Sequence, residues 1–329
     1  MKTSLFRFIS LLIFLFYSVS LAAQEKPTIS KDSTQHVQPK LDSTHIKDST
    51  VKKSDTAKPA SDSTAPTPSH FQVNLTWQSN DVNNGREDST VIPLITPEIS
   101  YIFKSGFEID LSVGYNTHEP SPQVNQYTLD GSYSFNPGNY SGTVTLSGFI
   151  YSNLSPSTTS EQKGSLEYSN SYTFPFIQPG VNFTWTFGNH IPDYQVSPSL
   201  QQQFNIGNLS ITPTVTMNAA TQNSYNAYYQ SRRFTVPGYS DKPALPDSVT
   251  ITGEVLNASK FQILDYEFSC PIAYTAGKWT FDFTPTYALP VNPADIKATI
   301  TTNHIARNFT YKEKLPHVFY CSVEVTYAF

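Results

Sequence analysis

The feature that most constrains this chain is a period-two alternation of apolar and polar residues, carried almost without pause from Phe71 to Phe329. Its last stretch shows the pattern most plainly. Phe319, Cys321, Val323, Val325, Tyr327 and Phe329 fall in one register, and Tyr320, Ser322, Glu324, Thr326 and Ala328 fall in the other. Successive side chains of a strand point to opposite faces, so this segment is a strand with two unlike surfaces and not a helix. A chain that repeats the pattern over its length is all-β. Its apolar faces then meet either one another, as in a soluble sandwich, or lipid.

Strands are expected at 71–78, about 92–103, 107–115, 124–135, 140–151, 164–174, 181–187, 196–206, 209–217, 261–274, 278–289 and 319–329. The connections after even-numbered strands are tight and rich in Gly, Asn or Pro: Lys104-Ser105-Gly106, Asn136-Pro137-Gly138-Asn139, Gln178-Pro179-Gly180, Gly207-Asn208 and Ala276-Gly277. Those are the residues that short hairpins need. The other connections are longer, and two, about 218–260 and about 291–315, are much longer. Short turns on one rim, long loops on the other and an even strand number describe a transmembrane β-barrel of about 12 strands, within a range of about 10–14.

The identity of the alternating residues favours lipid over a sandwich core. The apolar face carries almost no charge, whereas the opposite face is Ser, Thr, Asn and Gln with some carboxylates. A charge at the bilayer midplane costs about 2–4 kcal/mol. Phe103, Phe107, Phe135, Tyr140, Phe174, Phe204, Tyr274 and Trp279 cluster beside the turns, where an interfacial girdle would sit. Prolines 97, 198, 213, 271 and 285 fall inside expected strands, so each is expected at a bulge or a strand end.

The closing segment Phe319 to Phe329, ending on an aromatic residue, resembles the last strand of Gram-negative outer-membrane β-barrels. That resemblance implies recognition by the barrel-assembly machinery, contact with outer-membrane lipid and lipopolysaccharide, and a porin-like class with no specific family. The N-terminus agrees: Lys2 and Arg7 flank a positive leader, Phe8 to Leu21 is almost wholly apolar, and Ala22-Ala23 precedes Gln24, the pattern of a secretory signal peptide over residues 1–23. No later apolar run reaches the roughly 20 residues of a membrane helix. Residues 24–68, without an aromatic, are expected to be a disordered periplasmic leader ahead of a barrel domain at 69–329. Its repeated Asp-Ser-Thr triplets, at Asp32, Asp42, Asp48 and Asp62, resemble acceptors of a periplasmic O-glycosylation system, and equally suit a plain solvated linker.

Composition narrows function further. Residues 69–329 hold 12 Lys and Arg against 20 Asp and Glu, which argues against nucleic acid as a partner. Two cysteines, Cys270 and Cys321, are too few for a disulfide framework and are expected as free thiols on non-neighbouring strands. On the expected register Glu98, Glu108, Asp110, Asp130, Glu167, Asp265, Glu267, Asp282 and Glu324 face the lumen. Arginine is absent from every expected strand, and Lys104 and Lys278 lie beside turns. Such a lumen would pass cations or small neutral polar solutes and not anions, or the carboxylates would be satisfied by hydroxyls and water inside a plugged barrel.

Of the expected barrel's histidines, His118, His190, His304 and His317 fall near the long-loop rim, and only His190 with Asp193 and Ser197 approximates a hydrolase set. No surrounding sequence resembles the known barrel hydrolases, so the expectation is a non-enzymatic barrel with no cofactor and no metal. Tyr225, Tyr228, Tyr229, Arg232, Arg233, Phe234 and Tyr239 lie in the long loop after the ninth strand. They could stack on sugars or meet lipid phosphates, or pack the loop over the barrel. Val249 to Leu256 alternates as well and is expected as part of a projecting hairpin or an added strand pair. The alternative to a porin is therefore a closed barrel whose loops bind a partner or polysaccharide.

Overall fold

The computed structural model describes residues 68–87, 93–117, 122–151, 162–188, 191–231, 249–302 and 305–329. The expected signal peptide and all of the expected leader except Pro68 lie outside these residues. In chain order the elements are β1 (His70–Gln78), β2 (Val82–Asn83), β3 (Arg86–Glu87), β4 (Leu94–Ile102), β5 (Phe107–Asn116), β6 (Gln123–Phe135), β7 (Tyr140–Tyr151), β8 (Gln162–Tyr172), β9 (Gln178–Gly188), β10 (Asp193–Gln201), β11 (Phe204–Ile206), β12 (Leu209–Ile211), β13 (Thr214–Ala220), helix α1 (Asn223–Ser231), β14 (Val249–Val255), β15 (Gln262–Ser269), β16 (Ile272–Ala276), β17 (Trp279–Pro290), β18 (Asp295–Thr302), β19 (Ile305–Lys312) and β20 (Val318–Ala328).

Fifteen of these segments form one antiparallel sheet, and it closes: β20 pairs with β1 on one side and with β17 on the other. Leu75 stands opposite Val325, and Phe281 opposite Val325 across the next seam. Because β10 with β11, β12 with β13, and β15 with β16 are halves of single staves, the barrel has 12. Following paired residues once around the barrel gives an accumulated stagger of about 16 residues, which for this strand number implies a tilt of about 45° and a backbone radius of about 13 Å.

The outer face is the apolar one. Leu75, Ile99, Leu111, Leu129, Leu146 and Phe281 are each more than two-fifths exposed. In a soluble protein such a continuous apolar surface would be untenable, and against hydrocarbon it is the required one. At the short-turn rim the aromatic residues touch one another: Phe71–Tyr101 and Tyr101–Phe103 both at 4.6 Å between ring centres, Tyr172–Phe174 at 4.6 Å, Trp279–Tyr327 at 4.7 Å and Tyr327–Phe329 at 4.9 Å. Trp77, Tyr115, Tyr194 and Phe261 supply exposed rings near the opposite rim. Cys270 and Cys321 are free thiols.

The prolines behave in two ways. Pro213 and Pro271 sit where staves break, between β12 and β13 and between β15 and β16. Pro97, Pro198 and Pro285 lie inside continuous strands, and each faces a gap in the pairing on one side. The β4–β5 register passes from Ile95 to Glu98, the β10–β13 register from Val196 to Ser199, and on the β15 and β16 side the β17 register passes from Phe283 to Thr286, with Pro285 opposite Cys321 of β20 on the other. A ladder position without a hydrogen bond tolerates a residue without an N–H.

The long loops depart from expectation. The loop at 221–261 contains a helix, α1, that alternation did not reveal. β14 pairs not within its own loop but with β18, which pairs with β19, so two different loops build one three-stranded sheet. Val255, Ala258, Ala294 and Ile296 form its small core, with Tyr225 and Tyr311 packed against it.

Candidate functional site: the lumen and its long-loop mouth

Alternation puts the short polar residues and the carboxylates on the inner wall, and stagger decides which of them share a level. Because each stave is shifted by rather more than one residue against the next, positions that step toward the short-turn rim at about that rate stand at one height. Asp282 and Glu324 are directly opposite each other on β17 and β20. Glu324 stands opposite Thr76, and Thr76 opposite Thr96, so Glu98 is the next inner position toward the short-turn rim. Glu98 faces Ser112 on β5, one inner position above Asp110, which is directly opposite Asp130. Asp130 leads through Ser147 to Ser165 on β8, one inner position above Glu167. The tilt thereby collects Asp282, Glu324, Glu98, Asp110, Asp130 and Glu167 into one belt around eight consecutive staves. Glu108 lies below it on β5, and Glu267 and Asp265 continue the inner wall on β15.

The belt is held by neutral donors. Asn74 Nδ2 donates to Glu98 at 2.6 Å and Ser100 Oγ to the same oxygen at 3.2 Å. Thr76 and Thr326 donate to the two oxygens of Glu324 at 3.1 and 3.2 Å. Asn182 and Ser169 donate to Glu167 at 2.6 and 3.1 Å, and Tyr320 donates to Glu267 at 3.4 Å. Amides and hydroxyls position the carboxylates without cancelling their charge, so the wall keeps a negative field. Among the described residues Lys163, at the long-loop end of β8, is the one Lys or Arg that lies within a stave.

The mouth at the long-loop end is built differently. Between β1 and β4 the chain folds inward as the β2–β3 hairpin, with Asn84 at φ 49° and Gly85 at φ 71° in its turn. Both central residues of a tight type I′ turn need positive φ, which Asn and Gly accept. A Cβ on Gly85 would stand 2.8 Å from Cβ of Asp265 and 3.1 Å from Cβ of Pro290, so the tip rests on the wall of β15 and β17, three staves from where the hairpin starts. Asp265 beneath it is 0% exposed.

Next in the chain, Arg86 is enclosed. Its Nε is 3.1 Å from Glu313 Oε2, an ion pair whose side chains are 9% and 12% exposed. A terminal guanidinium nitrogen donates to Gln222 at 2.9 Å, and the guanidinium carbon lies 5.1 Å from the ring centre of Tyr225. Tyr225 in turn donates to the other oxygen of Glu313 at 2.6 Å, and the Ala294 N–H donates to Glu313 at 3.2 Å. A buried, multiply bonded pair of this kind costs about 3–5 kcal/mol to break by removing one partner. Inner-wall residues at this level are buried, among them Gln78, Leu94, Asn116, Gln126, Leu264 and Val318, while Gln72, Glu108, Ser269 and Thr326 nearer the short-turn rim remain part exposed.

The structure therefore places the nine expected lumen carboxylates on the inner wall, and treats the loop candidates differently. Tyr225 is turned into the mouth against Arg86 and Glu313. Tyr228 and Tyr229 lie on α1. Arg232, Arg233, Phe234 and Tyr239 lie outside the described residues, as do His118, His190 and His304. Asp193 and Ser197 have structural partners. Asp193 accepts the N–H groups of Asn223 and Ser224 at 2.6 and 2.7 Å and so caps α1, and Ser197 donates to Asn218 at 2.7 Å. Arg86, Gln222 and Glu313 are the residues that sequence reasoning passed over. The Asn84-Gly85 turn signature between Val82 and Arg86 was the available signal.

No family model matches the chain, and no curated protein matches it. Among solved structures, it is similar to an outer-membrane channel from Pseudomonas putida F1 at 9% identity and a TM-score of 0.43, covering 80% of this chain and 97% of that one. It is also similar to KdgM porin at 10% identity and a TM-score of 0.41, covering 78% and 99%. By its closed, even-stranded, antiparallel sheet, its apolar outer face and its aromatic rims, the chain is a β-barrel of the outer-membrane class.

Proposed function

We propose that this barrel is a porin-like, non-enzymatic outer-membrane protein whose lumen takes small polar or cationic solutes. The observation that carries the reading is the run of lumen carboxylates across eight consecutive staves, held by neutral donors, with the Arg86 cation at the mouth paired to Glu313. In a confined lumen such a belt concentrates cations and repels anions, while the surrounding Ser, Thr, Asn and Gln offer hydrogen bonds to neutral polar solutes. Under this reading the long loops face the outside with lipopolysaccharide around their rim, the short turns face the periplasm, the leader at 24–68 lies in the periplasm, and the assembly machinery inserts the barrel.

Planar-bilayer recording of the purified protein tests it. Discrete cation-selective steps are expected, with selectivity falling when Asp282→Asn and Glu324→Gln are combined. Anion-selective steps, or selectivity indifferent to the substitutions, would count against the belt.

A second reading, a closed barrel whose loops bind a partner or polysaccharide, is favoured by one observation, the burial around Arg86 at the mouth. Loss of a surface phenotype on deleting 219–260, with permeability unchanged, would select it.

A further inference from the structure

Resting on that porin-like reading, we propose that the inner wall of β5, β6 and β7 near the long-loop rim holds a saccharide subsite, built on Asn125 and the bare backbone of Gly114, for the ring of a neutral sugar. At this point β6 carries one residue more than β5. Gly114 stands opposite Gln126 and Tyr115 opposite Val124, which leaves Asn125 between them without a partner on β5. Such a bulge breaks side-chain parity and re-aims the extra residue. Tyr115 and Tyr127, on the outer face beside it, are exposed, whereas Asn125 is 2% exposed, so its amide is turned inward with the buried Gln126.

Neither Oδ1 nor Nδ2 of Asn125 makes a hydrogen bond, although both are buried. Other amides of the inner wall are engaged: Asn74 donates to Glu98, Asn182 to Glu167, and Gln126 Nε2 to Thr128 at 3.0 Å. A buried amide without partners is a standing cost to the fold. A group that both donates and accepts removes that cost, and a sugar hydroxyl does both.

The neighbouring strands supply the rest of the subsite. Gly114 is on the inner face of β5, its backbone is part exposed, and a Cβ there would meet nothing nearer than the Gln126 carbonyl oxygen at 3.8 Å. Glycine inside a strand removes a side chain where another molecule comes close to the backbone. On the other side, β7 places rings on a wall that is otherwise mostly short and polar. Tyr151, part exposed, stands opposite Gln126, and Phe149 opposite Thr128, with 6.3 Å between the ring centres. A ring beside amides gives the C–H face of a pyranose an apolar surface and its hydroxyls hydrogen-bond partners. Two inner positions toward the short-turn rim, Asp110 and Asp130 face each other, so a sugar that carries a carboxylate is repelled.

Saturation-transfer NMR on the purified protein in phosphatidylcholine nanodiscs, with glucose, N-acetylglucosamine and glucuronate as probes, tests the subsite without requiring current. Asn125→Leu removes both polar atoms and keeps a side chain branched at the same carbon. Gly114→Val fills the space over the backbone. Retained folding is checked by electrophoretic mobility before and after heating. The expected result is transfer to glucose and N-acetylglucosamine, weaker transfer to glucuronate, and binding about tenfold weaker in each variant. Asn125→Leu should melt no lower than the parent, because the amide it removes satisfies nothing in the fold. Sugar binding by a parent that passes no current in bilayers would uphold the subsite and defeat the porin-like reading. Absence of binding to both neutral sugars, or undiminished binding in both folded variants, would overturn the subsite whatever the current does.

Discussion

Placing an arginine at adjacent positions of β7 separates a lipid-facing surface from a lumen wall. Leu146 lies in the middle of this strand of 12 residues, is 57% exposed, and stands between Gly131 and Leu166 on the outer face. Thr145, the preceding residue, stands between Ser132 and Glu167 on the inner face. In Leu146→Arg the guanidinium is held near the bilayer midplane, at a cost of about 2–4 kcal/mol. That is a loss of about 30- to 700-fold in the folded-to-unfolded ratio at about 1.4 kcal/mol per decade. In Thr145→Arg the same group enters a polar lumen opposite the Glu167 carboxylate, so stability should stay within about 1 kcal/mol of the parent. Reversible folding into lipid vesicles across a urea gradient gives both numbers. If the two variants cost the same, or if Thr145→Arg costs more, the assignment of the two faces is wrong and the apolar side chains meet in a dry core instead.

Two predictions concern the loops. Asp193→Ala removes the carboxylate that accepts the Asn223 and Ser224 N–H groups at the start of α1. It should cost about 1–2 kcal/mol locally, read as faster proteolysis within 221–261 while the heat stability of the barrel is unchanged; equal cleavage would refute the cap. Burial, with the charge of Glu313 adding to it, pushes the Tyr311 phenol from 10.0 up to about 12. A raised folded value means that this stabilising contribution is intact below pH 10 and is lost as pH rises toward 12, so the loop sheet should loosen in that window. A tyrosine ring-carbon resonance that is absent in Tyr311→Phe and titrates near 12 would confirm this, and titration near 10 would refute it.

The lumen carboxylates and the staves were legible for the same reason. A strand's faces are set by parity, a local property, so the alternation of Phe281, Asp282 and Phe283 states which side Asp282 occupies before anything is known of its neighbours. Tight turns such as Asn136-Pro137-Gly138-Asn139 add the rim, although the turn expected at Gln178-Pro179-Gly180 lies earlier, at 173–177, because those three residues pair with β10 as the start of β9. The strand breaks at Pro213 and Pro271 were legible too, but whether a proline interrupts a stave or merely faces a gap depends on the neighbouring strand. Pro97, Pro198 and Pro285 could not be told apart from the others by their own context.

From its sequence alone the chain was determined to be all-β, even-stranded, apolar outside, acidic and hydroxyl-rich inside, with a short-turn rim and a long-loop rim. Only the tertiary structure decided how the mouth is arranged. Arg86 and Glu313 lie 227 residues apart, β14 finds its partner in another loop, and the cap of α1 comes from 31 residues upstream. The Arg86–Glu313 contact depends on ring closure, which brings the first and last staves together, whereas the other two join loops carried by staves that stand side by side or one stave apart. Side-chain parity propagates along a strand and can be read locally, whereas the choice of loop partners follows from where the closed barrel places the strand ends.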